Sequence, residues 1–167
     1  IGTSDFCNFR CNYCAQSTSK GIGITPQILS WDKFVNIISQ IEEMLEKNGV
    51  DRIKNFQICG IGEPLICKEV PKMISYVKKR GISDRIELTT NGSLLTHELS
   101  KDLIAAGLTR LLISVQGVNK EAYKQICGYD IDFERFVEEI GYFYQNKKTC
   151  SVYIKIADVA LQDGQDE

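Results

Sequence analysis

The stretch Cys7-Asn8-Phe9-Arg10-Cys11-Asn12-Tyr13-Cys14 places three thiols within eight residues, beside the aromatic side chain of Tyr13. Soft sulfur ligands crowded in this way favour zinc or an iron-sulfur cluster over the harder cations. A structural zinc site or an ordinary four-iron cluster takes four protein ligands, so a group of three raises the question of the fourth. If three cysteines each hold one iron of a four-iron, four-sulfur cluster, the fourth iron keeps an open position for a small molecule.

The spacing Cys7-xxx-Cys11-xx-Cys14, with an aromatic residue just before the last cysteine, resembles the motif of the radical S-adenosylmethionine (SAM, or AdoMet) enzymes. In that family the open iron chelates AdoMet, and an electron from the 4Fe-4S cluster cleaves it reductively into a 5'-deoxyadenosyl radical that abstracts hydrogen from the substrate. The resemblance implies that Cys7, Cys11 and Cys14 are the metal ligands. It also implies a 4Fe-4S cluster and S-adenosylmethionine as cofactors, and an electron donor such as flavodoxin or ferredoxin as partner.

A second stretch, Gly62-Glu63-Pro64, matches most of the Gly-Gly-Glu-Pro motif of the same family, with Ile61 in place of the first glycine. Glycine lets the backbone approach a ligand closely, while exposed carbonyl groups and the Glu63 carboxylate can accept hydrogen bonds from an ammonium group. The resemblance implies that this turn binds the amino group of AdoMet. Taken alone, the stretch is also compatible with an ordinary Gly-Pro turn that carries a solvated glutamate.

Four further residues are candidates for AdoMet binding. In the family pattern Tyr13 lies near adenine, whereas Thr90, Asn91 and Ser114 are short polar residues at predicted strand ends, suited to ribose or carboxylate oxygens. Each is also compatible with loop packing or ordinary turn chemistry. Many family members have Ser-x-Asp-Gly after this strand, but here Gln116 replaces the acid and cannot supply its charge.

Lys155 interrupts the otherwise apolar end of the last predicted strand. Family members resembling the molybdenum-cofactor enzymes use a lysine there to meet an anionic ligand, so Lys155 is a further cofactor-binding candidate. The alternative is a strand lysine that extends its ammonium group into water. The remaining cysteines lack metal-ligand spacing and are compatible with small buried hydrophobic residues: Cys59, Cys67, Cys127 and Cys150.

Strands and helices alternate along the chain. Hydrophobic periodicity, capping residues and turn residues predict a loop over residues 15–30 and four strands, over 55–58, 85–89, 111–115 and 151–159. Helices are predicted to begin at Ser30, Pro71, Thr96, Asn119 and Asp132. Such an order predicts parallel pairing with right-handed crossovers.

The predicted fold class is α/β, a partial, truncated (β/α)6 TIM-like barrel of parallel strands, since a full eight-stranded barrel needs about 250 residues. We expect a further strand just before Cys7, a radical SAM core domain over residues 1–161 that is incomplete at both ends, and a polar tail over 162–167.

The composition of the chain argues against some classes of function. The chain of 167 residues has a net charge of −2, so it lacks the basic excess of a nucleic-acid-binding domain. No apolar run approaches the length of a membrane span. Seven cysteines form an odd number whose clustering fits metal binding better than a secreted disulfide framework, which favours a reducing cytoplasm.

Three interpretations remain open. The main one is a radical SAM enzyme with an unidentified substrate, and a peptide or carbohydrate is favoured because the chain most resembles members with a C-terminal cysteine-rich, auxiliary-cluster domain. One alternative is a radical SAM enzyme that acts on a nucleotide, as in molybdenum-cofactor synthesis. The other is a zinc-binding structural or interaction module, which explains the cysteines but leaves the Gly62-Glu63-Pro64 turn unexplained.

Overall fold

Four parallel strands form one sheet in a computed structural model that describes residues 1–18 and 25–156. The strands are β1 (Phe56–Ile58), β2 (Ile86–Thr90), β3 (Arg110–Val115) and β4 (Ser151–Ile156). The helices are α1 (Ala15–Thr18), α2 (Trp31–Lys47), α3 (Val70–Arg80), α4 (His97–Ala105), α5 (Lys120–Cys127) and α6 (Phe133–Asn146), and a 3₁₀ turn spans Pro64–Ile66. Sheet order follows chain order, as in a barrel wall, whereas a doubly wound sheet reverses direction at a switch point. The predicted partial barrel of parallel strands is therefore confirmed.

The two faces of the sheet differ in chemistry. Ile86 and Leu88 of β2 and Leu111 and Ile113 of β3 are 0–1% exposed and form the core with the helices. Alternate residues point to the opposite face, which is polar. There, Gln57 Nε2 donates to Glu87 Oε1 at 2.7 Å, and Arg110 Nη1 lies 3.3 Å from Glu87 Oε2.

Side-chain caps explain where three of the helices begin. Thr96, Asn119 and Asp132 accept hydrogen bonds from the backbone N–H groups of Leu99, Ala122 and Arg135, at 3.1, 2.8 and 3.1 Å. Each such cap contributes about 1 kcal/mol. Ser30 also precedes its helix, as predicted, although its side chain makes no capping hydrogen bond. No helix among the described residues is long and apolar enough to cross a membrane.

The predicted loop over residues 15–30 is wrong in two places. Residues Ala15–Thr18 form a helical turn, and Leu29 N donates to Thr3 O at 2.9 Å in a short antiparallel contact of residues 27–29 with residues 3–5. A four-residue helix carries no periodic signal, and the antiparallel contact joins segments distant in sequence. Residues 19–24 of this loop, the predicted end of the last strand (157–159) and the polar tail lie outside the described residues.

Pairing beside β1 agrees with the expected strand before Cys7. Ile1 N donates to Gln57 O at 2.6 Å, and Cys59 N donates to Ile1 O at 3.0 Å. A residue that bonds both neighbours of its partner in this way follows the pattern of a parallel ladder. The chain therefore enters the cysteine loop from a position beside β1, at the carboxyl end of the sheet.

Candidate functional site

The candidate site is a cavity of about 200 Å³ at the carboxyl ends of the strands, where parallel strand-helix folds bind their ligands. The cysteine loop, the turn after β1 and the ends of β2 and β3 line it. Ten of the eleven predicted site residues lie on its wall: Cys7, Cys11, Cys14, Tyr13, Gly62, Glu63, Pro64, Thr90, Asn91 and Ser114. The exception is Lys155.

Hydrogen bonds attach the cysteine loop to the turn that follows β2. Asn8 Nδ2 donates to Ser93 Oγ at 2.8 Å, and Asn91 Nδ2 donates to Asn8 Oδ1 at 2.9 Å. Phe9 is 2% exposed and packs against Tyr129 with a ring-centroid distance of 4.8 Å. The loop is thus held at both its polar and its apolar side chains, and this orients the three thiols towards the cavity.

The three thiols have different surroundings. Burial raises the pKa of Cys7, although the backbone N–H of Phe9 donates to its sulfur at 3.4 Å. Cys11 is buried, and the interaction of its thiol with that of Cys127 lowers its pKa. A lowered pKa favours the thiolate, which is the form that binds metals.

The donor set fits an iron-sulfur cluster better than a single ion. Within residues 1–18 and 25–156, no three Cys, His, Asp or Glu side chains gather around one metal position. A zinc ion needs its ligands at one centre. In a four-iron cluster each cysteine binds a different iron atom, so the thiols need only share a rim, as Cys7, Cys11 and Cys14 do.

Close backbone packing explains the glycine at position 62. A Cβ atom at Gly62 would overlap the carbonyl oxygens of Ser4 and Phe6, and Glu63 N donates to Phe6 O at 2.8 Å. Gly62 therefore lets the turn after β1 lie directly against the segment that leads into the cysteine loop. Ile61, which stands where the family motif has glycine, is 52% exposed on the cavity wall.

Glu63 points inwards. It is 2% exposed, and its Oε1 accepts from Leu65 N at 3.0 Å and from the Thr90 hydroxyl at 2.5 Å, while Oε2 accepts from Asn91 N at 2.7 Å. Burial raises the pKa of this carboxyl group. The solvated glutamate of the simple-turn interpretation is therefore wrong. Protein donors take three of the about four acceptor positions of the carboxylate, so the carbonyl groups of the turn are further acceptors for an ammonium group.

The polar residues at the strand ends divide into two kinds. Thr90 is tied to Glu63, and its hydroxyl also accepts from Gly92 N at 3.0 Å, so it shapes the wall. Ser114 lies on the cavity wall near the end of β3. Tyr13 is 46% exposed, and its pKa is raised to about 12 by burial and by the neighbouring thiols. The structure thus places Tyr13 at the mouth beside Cys11.

Lys155 lies next to this wall, on β4. Its Cα pairs in register with that of Ser114. Paired residues of neighbouring strands share one face of the sheet, so the lysine side chain stands on the cavity side. Lys155 is exposed and forms no ion pair with any residue the structure describes.

The cavity also contains residues that were not among the predicted site residues. Gln16, Cys59 and Gln116 line it, and Gln116 Nε2 donates to Ser114 O at 3.1 Å. Gln116 is 8% exposed, and its backbone N–H donates to the hydroxyl of Tyr123 at 3.2 Å. The sequence signal that could have identified Gln116 as a cavity residue was its position at the end of a strand. Cys59 also ends a strand, but its type suggested only packing.

Comparison with known proteins gives one family. The model of the Radical SAM superfamily matches residues 1–159. A GTP 3',8-cyclase of Syntrophomonas wolfei is 34% identical over 126 residues, which cover 75% of this chain and 36% of that protein. A GTP 3',8-cyclase of Gloeobacter violaceus is 36% identical over 133 residues, or 78% of this chain and 38% of that protein. The chain therefore spans well under half the length of these relatives.

Solved structures show the same fold. BtrN in complex with AdoMet and 2-DOIA matches with a TM-score of 0.62 and 18% identity, over 92% of this chain and 54% of that one. Native anSMEcpe with bound AdoMet matches with a TM-score of 0.62 and 20% identity, over 92% of this chain and 41% of that one. The family uses a 4Fe-4S cluster and AdoMet, as the cysteine spacing implied. On the family match, supported by the three-cysteine rim and the partial barrel, this chain belongs to the radical SAM superfamily of enzymes.

Proposed function

We propose that the chain is the cluster- and AdoMet-binding core of an enzyme that closes a ring within a guanosine nucleotide. The observation that carries this proposal is the likeness to GTP 3',8-cyclases, at 34% and 36% identity over three quarters of the chain. These relatives favour the nucleotide alternative over the peptide or carbohydrate substrate. They also leave no reason to retain the zinc-module interpretation, because the family match covers nearly the whole chain.

The reaction that the relatives' name describes suits this family. To form a new bond at the 3' carbon of a ribose, the enzyme has to remove hydrogen from that carbon, which is unactivated. When bound, the cluster and AdoMet supply a 5'-deoxyadenosyl radical able to abstract such a hydrogen. The protein's task is to bind and orient the substrate and to exclude competing reactions.

The residues of the chain divide this task. Cys7, Cys11 and Cys14 would hold the cluster on the rim of the cavity. Carbonyl groups of the turn before Glu63 would accept from the AdoMet ammonium group, and Ser114 and Asn91 offer polar groups to ribose or carboxylate oxygens. Glu63 and Thr90 keep the wall in shape through their mutual hydrogen bond. Tyr13, at the mouth, would pack beside the adenine.

Lys155 supports an anionic substrate. Lys155 is exposed and pairs in register with Ser114, so its side chain lies on the cavity face of the sheet. A lysine beside a cofactor cavity that has no ion-pair partner among residues 1–18 and 25–156 is suited to phosphate oxygens, which lysine binds as a point charge. We therefore propose that Lys155 binds the phosphates of the nucleotide. AdoMet would lie on the side of the cavity that Ser114 lines. An electron donor such as flavodoxin or ferredoxin and a reducing cytoplasm belong to the same proposal.

The test uses GTP labelled with deuterium at the 3' carbon. The reconstituted, dithionite-reduced protein is incubated with AdoMet and the labelled GTP, and 5'-deoxyadenosine is analysed by mass spectrometry. We expect deuterium in 5'-deoxyadenosine from 3'-labelled GTP and none from GTP labelled at the 5' carbon. If GTP changes neither the amount nor the labelling of 5'-deoxyadenosine, the nucleotide proposal is refuted.

A lysine variant tests the phosphate contact separately. Lys155→Ala is expected to raise the KM for GTP at least tenfold while leaving AdoMet cleavage without GTP unchanged. Lys101→Ala, an exposed lysine on α4, is the matched control. An unchanged KM in Lys155→Ala would remove Lys155 from the site.

A further inference from the structure

The polar face of the sheet is the face that bears the candidate site. Arg110 and Ser114 are four residues apart on β3, so their side chains leave the sheet on the same side. Ser114 lines the cavity, and so does Thr89 of the neighbouring strand. Gln57 pairs in register with Glu87, and Glu87 pairs with Arg110. These three polar side chains therefore lie on the cavity side of β1, β2 and β3, nearer the amino ends of the strands.

An ion pair lies at the centre of this polar group. Arg110 Nη1 is 3.3 Å from Glu87 Oε2, and the Arg110 guanidinium lies over the ring of Tyr153, 4.8 Å from its centroid. Glu87 is 7% exposed. A guanidinium group attracts both a carboxylate and the face of an aromatic ring. Arg110 is therefore held on two sides and in turn fixes the position of the Glu87 carboxylate.

The Glu87 carboxylate sets the orientation of the Gln57 amide. Gln57 Nε2 donates to Glu87 Oε1 at 2.7 Å and lies 3.4 Å from Thr89 Oγ1. A carboxylate only accepts hydrogen bonds, so the NH₂ group of the amide must face Glu87. Gln57 is exposed, and residues 1–18 and 25–156 donate no hydrogen bond to its Oε1. This carbonyl oxygen is therefore the group of the side chain that is available to a ligand.

A carbonyl oxygen held in this way selects ligand groups that donate hydrogen bonds. Phosphate oxygens are anionic acceptors, so they are unsuited both to Gln57 Oε1 and to the neighbouring Glu87 carboxylate. Hydroxyl and N–H groups are suited to it, and an acceptor that is already oriented loses little side-chain freedom when they bind. GTP carries donors of this kind, among them the amino group of guanine and the 2'-hydroxyl of ribose.

We propose that Gln57 is a substrate-binding residue whose Oε1 accepts a hydrogen bond from the guanine amino group or the ribose 2'-hydroxyl of the nucleotide. Its contact with Thr89 places it beside the cavity, on β1, whereas Lys155 lies on β4 at the other end of the described sheet. The nucleotide would then be held from two sides, its phosphates by Lys155 and a donor group by Gln57. This inference rests on the proposed nucleotide substrate.

The test measures the kinetics of GTP-dependent 5'-deoxyadenosine formation by the reconstituted, dithionite-reduced protein. Gln57→Leu removes the acceptor, and we expect the KM for GTP to rise about tenfold, with a smaller effect on kcat, because one hydrogen bond in the bound state is lost. Gln40→Leu, at an exposed position of α2, is the matched control and should leave the KM unchanged.

Two substrate analogues identify the donor. Inosine triphosphate lacks the amino group of guanine, and 2'-deoxy-GTP lacks the 2'-hydroxyl. The KM of the wild-type protein should be about tenfold higher for the analogue that lacks the donor than for GTP. Gln57→Leu should have equal KM values for GTP and that analogue. A purely structural role of Gln57 would leave the discrimination of the wild type intact in the variant.

Two results would overturn the inference. One is an unchanged KM for GTP in Gln57→Leu. The other is a KM raised by the same factor for GTP and for both analogues, which would indicate an altered cavity shape without a lost hydrogen bond. If the wild-type protein shows no GTP-dependent reaction at all, the nucleotide proposal is refuted and this inference falls with it, so the two failures are distinguishable.

Discussion

Replacing Glu63 with alanine tests whether the carboxylate holds the cavity wall together or contacts AdoMet itself. The change leaves the buried N–H groups of Leu65 and Asn91 without their acceptor. An unsatisfied buried donor costs about 1–3 kcal/mol, so two cost about 2–6 kcal/mol. For a chain of this size, that corresponds to a loss of about 5–20 °C in Tm. Glu43→Ala, an exposed position on α2, should change Tm very little.

The assay combines thermal unfolding with AdoMet binding by calorimetry on the reconstituted protein. A Tm of Glu63→Ala within about 2 °C of wild type would refute the reasoning, since it requires that the buried donors find other partners at no cost. Loss of AdoMet affinity at unchanged Tm would show that the carboxylate contacts the ligand directly.

The stability of the folded protein should depend on pH through Glu63, and the direction of this dependence follows from the pKa of its carboxyl group. Burial raises the pKa of Glu63 above its ordinary value of 4.5, so the folded protein binds this proton more tightly than the unfolded chain does. The resulting stabilisation is complete below pH 4.5 and is lost as the pH rises through the raised value. Glu63→Gln cannot titrate, so the Tm difference between wild type and this variant should shrink or reverse over that window. A difference that is constant with pH would contradict the shift.

Three further predictions concern the neighbouring elements. Alanine at Cys7, Cys11 or Cys14 should abolish iron binding measured after anaerobic reconstitution, whereas Cys67→Ala should retain it; retention of full iron content by any of the three would refute the three-ligand assignment. Gly62→Ala should prevent correct packing of the turn, because its Cβ would overlap two carbonyl oxygens, and should yield poorly folded protein by circular dichroism. Gly141→Ala on α6 has open space around the new methyl group and should instead raise the stability by up to about 1 kcal/mol in urea unfolding, so a loss there would contradict the open-space assignment.

The sheet and the residues that gather around the cavity could be predicted from the sequence for one physical reason. Parallel strands joined by helices end on the same side, so Gly62 and Asn91, which follow strands, Cys7, which follows the expected first strand, and Ser114, near the end of β3, had to meet. The four strands and the three capped helix starts were likewise legible from hydrophobic spacing and from Thr96, Asn119 and Asp132.

The direction of individual side chains was less predictable. Glu63 points inwards because its donors come partly from Thr90 and Asn91, which are distant in sequence, and no local pattern reports them. The backbone contact of Cys127 with the cysteine loop likewise arises where a helix end meets a loop, so the absence of metal-ligand spacing around Cys127 carried no information about it. The relatives favour the nucleotide alternative over the peptide or carbohydrate that the sequence analysis preferred. Fold-level resemblance does not select a substrate, and the likeness to the cyclases over three quarters of the chain was needed to favour a nucleotide.

The anchoring of the cysteine loop has a consequence for how the protein responds to oxygen. Asn8 is hydrogen-bonded to Asn91 and Ser93, and Phe9 is buried in the core, so none of these attachments depends on iron. Small zinc domains behave differently, since they unfold when their metal is removed. Here we expect that loss of the cluster to oxygen leaves the cysteine loop and its cavity folded. We therefore expect a fresh supply of iron and sulfide to restore the centre without a new polypeptide.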